Sequence, residues 1–284
     1  MNIIVGATGQ VGSILINEIK KSGLAVRAVV RNAEKLRDKT IEYRTADLFN
    51  INHLTKAFKG GTTVFVITPE NPISKDIIGE TEQIVENYKN AIKETGIKRI
   101  IALSCVGAHI DGDTGNILMS RILEQGMDEI EAEKIFIRPS YYYSNWLGYM
   151  ETIEKYGALP TFFPEGLKIE MHSPIDLAKF IANIIAKKPT SESKREYELI
   201  GPRKYSSVDI ADTFSKLLNK DVLTQSIPPE KWEETLLSVG STKNTALNLM
   251  RMTQAVIDNK AVPEKPNSAI TLPTPFDKYI EAQL

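Results

Sequence analysis

A buried strand that runs straight into a glycine-punctuated turn and then a helix leaves a chain few ways to fold. This chain begins with one: residues 1–12 read MNIIVGATGQVG, and Ser13 to Ser22 continue with helical spacing. Each glycine has a physical task. Gly6 takes the tight turn off the strand, Gly9 lets main-chain N–H groups approach a pyrophosphate without a Cβ in the way, and Gly12 lets the helix pack close to the strand. Thr8, Gln10 and Val11 complete the candidate cradle, where the positive end of the helix dipole favours phosphate. The spacing is G-x-x-G-x-x-G rather than the commoner G-x-G-x-x-G. An ordinary strand-to-helix turn without ligand is the plainer alternative.

The rest of the first half repeats the strand–helix alternation. Ala25–Val30, Ile41–Leu48, Thr63–Pro69, Lys98–Ser104 and Lys134–Pro139 read as five further strands. Helices are expected over 50–59, 77–95 and 114–126, the second closing at Gly96. Right-handed crossovers then give an α/β fold, a Rossmann doubly wound parallel sheet with a smaller C-terminal α/β domain. The expected division is 1–139 plus 170–190 for the nucleotide-binding domain, and 140–169 plus 191–284 for the smaller one. Ser173 with Pro174, and Ser206 with Asp209, read as helix starts.

Ligands of open α/β sheets lie at the carboxyl ends of the strands, so those ends supply the site candidates. The second strand ends in Val30-Arg31, with Lys35 one turn on, where an NAD-specific site would carry an acid. A cationic fork and a point charge suit a 2′-phosphate, so NADP(H) is favoured over NAD(H); a solvated basic helix start is the bland alternative. Asp47 and Leu48 close the third strand, and Asp47 is either an acceptor for the adenine amino group or a helix N-cap. Thr68 and Pro69 after the fourth strand and Ser104 after the fifth are expected beside the ribose and nicotinamide. Past Pro139, the run SYYYSNW places Tyr141, Tyr143, Asn145 and Trp146 as candidate pocket walls, Tyr143 and Asn145 being the candidates for contact with the reacting group. The same aromatics could simply dock a helix on the sheet. Cys105 reads as a small buried hydrophobe and His172 as a structural residue.

Composition removes several function classes. The net charge of −1 argues against nucleic acid as a partner and against a polybasic membrane surface. One cysteine excludes an intrachain disulfide framework and fits a reducing compartment. No apolar run is long enough to span a bilayer and no charged leader precedes the first strand, so the cytoplasm is the expected location. His53, His109 and His172 are too scattered for a metal site, and no G-x-S-x-G elbow marks a hydrolase.

Taken together, VGATGQVG, Val30-Arg31-Asn32, Asp47-Leu48, Ser104–Ala108, Ile137-Arg138-Pro139, Pro174–Ala178 and Tyr197–Pro202 make a chain that resembles the NmrA-like branch of the atypical short-chain dehydrogenase/reductases. The resemblance implies bound NADP(H) or NAD(H). It also implies one of three roles: quinone reductase, non-catalytic redox sensor acting on a regulated protein partner, or nucleoside-diphosphate-sugar epimerase-like protein. The chain departs from the wider superfamily at one point. None of its ten tyrosines is followed four residues later by lysine, so the usual proton-transfer pair is absent. The expectation is therefore reduction of a small planar quinone or conjugated carbonyl by direct hydride transfer, with the non-catalytic regulator as the alternative.

Overall fold

The structure, a computed structural model, describes all 284 residues. In chain order the first half comprises β1 (Asn2–Val5), α1 (Gln10–Lys21), β2 (Val26–Val30), β3 (Glu42–Thr45), α2 (Ile51–Phe58), β4 (Thr63–Ile67), α3 (Ile77–Thr95), β5 (Arg99–Leu103), α4 (Ile117–Asp128) and β6 (Glu133–Pro139). The second half adds β7 (Tyr141–Tyr142), a 3-10 helix over Tyr143–Tyr149, α5 (Met150–Tyr156), β8 (Ala158–Thr161), β9 (Ile169–His172), α6 (Pro174–Ala186) and β10 (Lys194–Ile200). It ends with β11 (Lys204–Tyr205), α7 (Ser207–Leu218), β12 (Leu223–Ser226), α8 (Trp232–Ser238), α9 (Lys243–Ile257), β13 (Ile270–Thr271) and α10 (Phe276–Glu281).

One sheet of eight strands, ordered β13-β10-β6-β5-β4-β1-β2-β3 and parallel at every pairing, forms the centre. Strand order reverses between β1 and β4, which opens a crevice at their carboxyl ends. Alternation along β1 divides the apolar residues between the two faces. Ile4 joins Leu15, Ile19, Leu177 and Ile181 under α1 and α6, while Ile3 and Val5 join Leu54, Phe58, Tyr88 and Leu123 under α2, α3 and α4. A third core, around Tyr143, Trp146, Phe214 and Phe276, fills the smaller C-terminal region.

Three features differ from the sequence reading. The large sheet has eight strands rather than six, because β10 pairs along β6 and β13 along β10. Residues 191–284 are expected in the smaller unit, with a strand over Glu196–Pro202 and none at Ile270–Thr271; local pattern does not say which sheet a strand joins. Helix α4 begins at Ile117 rather than Thr114. Gly115 turns left-handed (φ +59°) and abuts α9, where a Cβ would lie 1.9 Å from the Asn248 carbonyl oxygen. Finally, β3 is a four-residue edge strand that stops at Thr45. The two expected helix starts are present: Ser173 accepts from the amides of Ile175 and Asp176, and Ser206 forms a reciprocal capping box with Asp209. No helix is long and apolar enough to cross a membrane.

Candidate functional site

The turn after β1 is shaped by close approach. Gly6 has φ +69°, and a Cβ there would sit 2.3 Å from Ile67 Cδ1. At Gly12 a Cβ would lie 2.2 Å from the Gly6 carbonyl oxygen and 2.9 Å from its carbon, both immovable backbone atoms. Gly9 is the N-cap of α1 and brings no capping side chain. The amides of Gln10, Val11 and Gly12 consequently have no acceptor within the chain, whereas Ser13 N–H already reaches Gly9 O at 3.0 Å. Unpaired amides at a helix N-terminus are an anion site. The residues present therefore fit a dinucleotide pyrophosphate. Thr8, Gly9 and Gln10 are exposed there, while the Val11 side chain packs in the core and offers only its amide.

At the end of β2, Arg31 and Lys35 are both exposed and neither is engaged in an ion pair or hydrogen bond within the chain. Asn32 caps the short turn that follows, accepting from Glu34 N–H at 2.8 Å. A pair of free cations beside the cradle fits a 2′-phosphate. At the end of β3, Asn50 rather than Asp47 caps α2, accepting from His53 N–H. Asp47 instead folds its carboxylate back onto Phe49 N–H at 3.1 Å and stays exposed, so its N-cap reading is corrected. Leu48 packs in the core and its carbonyl accepts from Asn87 Nδ2 at 2.9 Å.

Beyond the crevice, the carboxyl ends of β4, β5 and β6 open into a cavity of about 540 Å³. Thr68, Ser104, Tyr141, Tyr142 and Asn145 line it, and α9 closes it with Leu249, Met252 and Val256. Pro69 lies next to Thr68 but outside the lining. Ser104 is buried and donates to Glu124 Oε1 at 2.5 Å. Glu124 in turn receives Arg138 through a two-pronged pair, Nε to Oε1 at 2.8 Å and Nη2 to Oε2 at 2.7 Å. Arg138 also reaches Glu264 at 2.8 Å. The Ser104 proton is thus committed to Glu124, which leaves its hydroxyl oxygen able only to accept. Burial pushes the Cys105 thiol up to about 12, so it is no nucleophile at neutral pH.

Tyr143 is not part of this wall. It is fully buried in the third core, edge-on to Tyr205 and Phe276, and its hydroxyl has no hydrogen-bond partner. Its pocket role is corrected for a plain reason. The 3-10 helix sends Tyr143 and Trp146 into the core and leaves Asn145 between them facing the cavity. The sequence reading also missed Glu70, Asn116 and Glu124. Glu124 had a visible signal: it is a charge on the core-facing stripe of α4, between Leu123 and Met127.

The sheet order, the crevice and the glycine cradle define a Rossmann-type α/β protein. The chain belongs to the NmrA-like family, which matches residues 2–280. It is 24% identical to the NAD(P)H azoreductase of Xenophilus azovorans over 252 residues, covering 87% of this chain and 84% of that protein. An NADPH-dependent quinone oxidoreductase of Escherichia coli, solved with NADPH, is similar in structure, with a TM-score of 0.83, 24% identity and coverage of 100% and 99% of the two chains. A nucleoside-diphosphate-sugar epimerase from Staphylococcus aureus is also similar, with a TM-score of 0.81, 21% identity and 99% coverage of each chain.

Proposed function

We propose that the protein is an NADPH-dependent reductase of a quinone or related conjugated carbonyl. The observation that carries this reading is the cavity at the carboxyl ends of β4–β6, whose lining residue Ile67 abuts Gly6 of the glycine cradle. Its walls are mostly aromatic and aliphatic, its only charged residues are the glutamates Glu70 and Glu170, and no lysine or arginine lines it. That lining suits a planar, uncharged acceptor. The azoreductase and the quinone oxidoreductase among its relatives support the same class. An epimerase role is disfavoured because α4, the helix that follows β5, contains neither tyrosine nor lysine.

In this reading the first-turn amides of α1 hold the pyrophosphate, and Arg31 with Lys35 hold the 2′-phosphate, which favours NADPH over NADH. The bound nicotinamide supplies hydride. The chain's own contribution is position: Thr68 and Ser104 sit beside the reacting ring, and Ser104 offers an acceptor fixed by Glu124 and Arg138. Tyr141, Asn145 and the apolar side chains of α9 flank the acceptor and exclude water.

The test is absorbance of NADPH against a panel of quinones, aldehydes and nucleotide sugars. Oxidation with quinones alone is the expected outcome. Saturable binding of NADPH without turnover on any acceptor would overturn the reductase reading in favour of a non-catalytic redox sensor.

A further inference from the structure

The absence of a tyrosine–lysine pair leaves open where the second hydrogen of a reduction comes from. The cavity holds two acids and no lysine, arginine, histidine or aspartate. Glu170 is answered from outside the cavity by Lys204, whose Nζ lies 3.7 Å from its carboxylate. Glu70 has no such partner. It follows Thr68 and Pro69 on the loop between β4 and α3, and its neighbours across the cavity are Cys105, Tyr141 and Tyr142. Burial keeps all three of those groups protonated, so none brings a charge to the site. The Asn116 side chain lies within reach of the Glu70 carboxyl. Asn116 is only 5% exposed and lines the same cavity, and neither its Nδ2 nor its Oδ1 makes a hydrogen bond of full geometry, the nearby Glu70 carboxyl included.

A buried amide with both atoms unpaired is costly, and such a group aimed into a cavity points to a ligand that satisfies it. The loop carrying Glu70 is held firmly. Thr242 N–H reaches Pro72 O at 3.0 Å, Thr245 Oγ1 reaches Asn71 O at 3.2 Å, and Ile77 N–H reaches Asn244 Oδ1 at 2.9 Å. The start of α9 therefore anchors the loop that carries the acid. We propose, resting on the reductase reading above, that Glu70 is the proton donor of this site and that Asn116 aligns the acceptor oxygen with it.

The step balances. Hydride from the reduced nicotinamide adds to the conjugated acceptor, the electron pair moves onto the carbonyl oxygen, and that oxygen takes the proton from the Glu70 carboxyl. Glu70 is left as a carboxylate and recovers a proton from water, because its own surface remains solvent-accessible at the cavity wall. One NADPH and one solvent proton are consumed per acceptor reduced by two electrons. Crowding by the cavity walls raises the Glu70 carboxyl above the ordinary carboxylate range, the direction a proton donor needs.

The experiment compares wild type, Glu70→Gln and Glu70→Asp in two ways. The first is the pH profile of quinone reduction. Wild type is expected to lose kcat/KM as pH rises past the Glu70 titration; Glu70→Gln is expected to be roughly a hundredfold slower and flat over the same range. Glu70→Asp retains the pH dependence at reduced rate, and NADPH affinity is unchanged in both variants. The second is an infrared titration of the cofactor-free protein, in which a protonated-carboxyl band persists above the usual range in wild type and is missing from Glu70→Gln. A quinone reductase whose Glu70→Gln variant keeps rate and profile, or a protein without that band, overturns this assignment alone. Wild type that binds NADPH and reduces no quinone overturns the reductase reading and the assignment together.

Discussion

The glycine turn after β1 and the cavity under α9 share one sheet edge but are built from opposite materials. The turn is a main-chain object: its amides do the binding, and its side chains matter chiefly by being absent. The cavity is a side-chain object, assembled from Thr68 and Glu70 on one loop, Asn116 before α4, Tyr141 on β7 and Met252 on α9. A backbone site tolerates almost no added atom, whereas a side-chain site tolerates losses at any residue that only looks as if it belongs. The two regions should therefore respond very differently to single substitutions.

The harshest test of that contrast is Gly12→Val. The new Cβ would meet the Gly6 carbonyl at 2.2 Å, and neither backbone can withdraw without separating α1 from β1. Loss of measurable cofactor binding is expected, with destabilisation of ~1–3 kcal/mol or more from overpacking. Calorimetric titration and a thermal melt read both. Retained affinity would show that the cradle is looser than its geometry.

An effect confined to acid pH is expected where the sheet meets the C-terminal region. His172 is fully buried, Ser140 Oγ lies 3.1 Å from its Nδ1, and its Nε2 has no partner. Burial pushes its pKa from 6.5 down to about 3. Between those values the unfolded chain binds a proton that the folded chain refuses. The contribution is fully present above about pH 6.5 and is lost progressively as pH falls towards 3, reaching on the order of 4 kcal/mol. Denaturant titrations at neutral pH and near pH 4.5 should show this loss, and His172→Gln should flatten it. An unchanged slope in the variant would assign the acid sensitivity to other groups.

The gentlest substitution is Tyr143→Phe. With no hydrogen-bond partner for the hydroxyl, removing it should alter quinone reduction by less than about threefold and stability by about 0.5 kcal/mol or less. A large loss of rate would return Tyr143 to the reacting group and contradict the division between core and cavity drawn above.

The same contrast explains what the sequence made legible. The glycines of the turn announce themselves by their spacing, Gly6 and Gly12 because a Cβ would clash there, and Arg31 stands out because an acid is expected at that strand end. Strand existence follows from residue pattern, so β1 to β6 were readable in place. The membership of β10 and β13 in the large sheet was not, since pairing partners 60 or more residues away leave no local mark. Glu70 and Asn116 escaped for a related reason: each is ordinary in its own segment and becomes notable only when folding brings both to one cavity wall. Tyr143 failed the other way, because an aromatic with a polar tip looks alike in a pocket wall and in a core.

The claim on which the account rests is that the β1 turn and the end of β2 together hold NADP(H). Calorimetric titration of NADPH and NADH into wild type and Arg31→Ala tests it most directly. The account predicts saturable binding with NADPH preferred, and a loss for NADPH of roughly tenfold or more in the variant, the worth of a charge-assisted contact, with NADH little changed. Equal weakening of both nucleotides, or no binding of either to wild type, would contradict it.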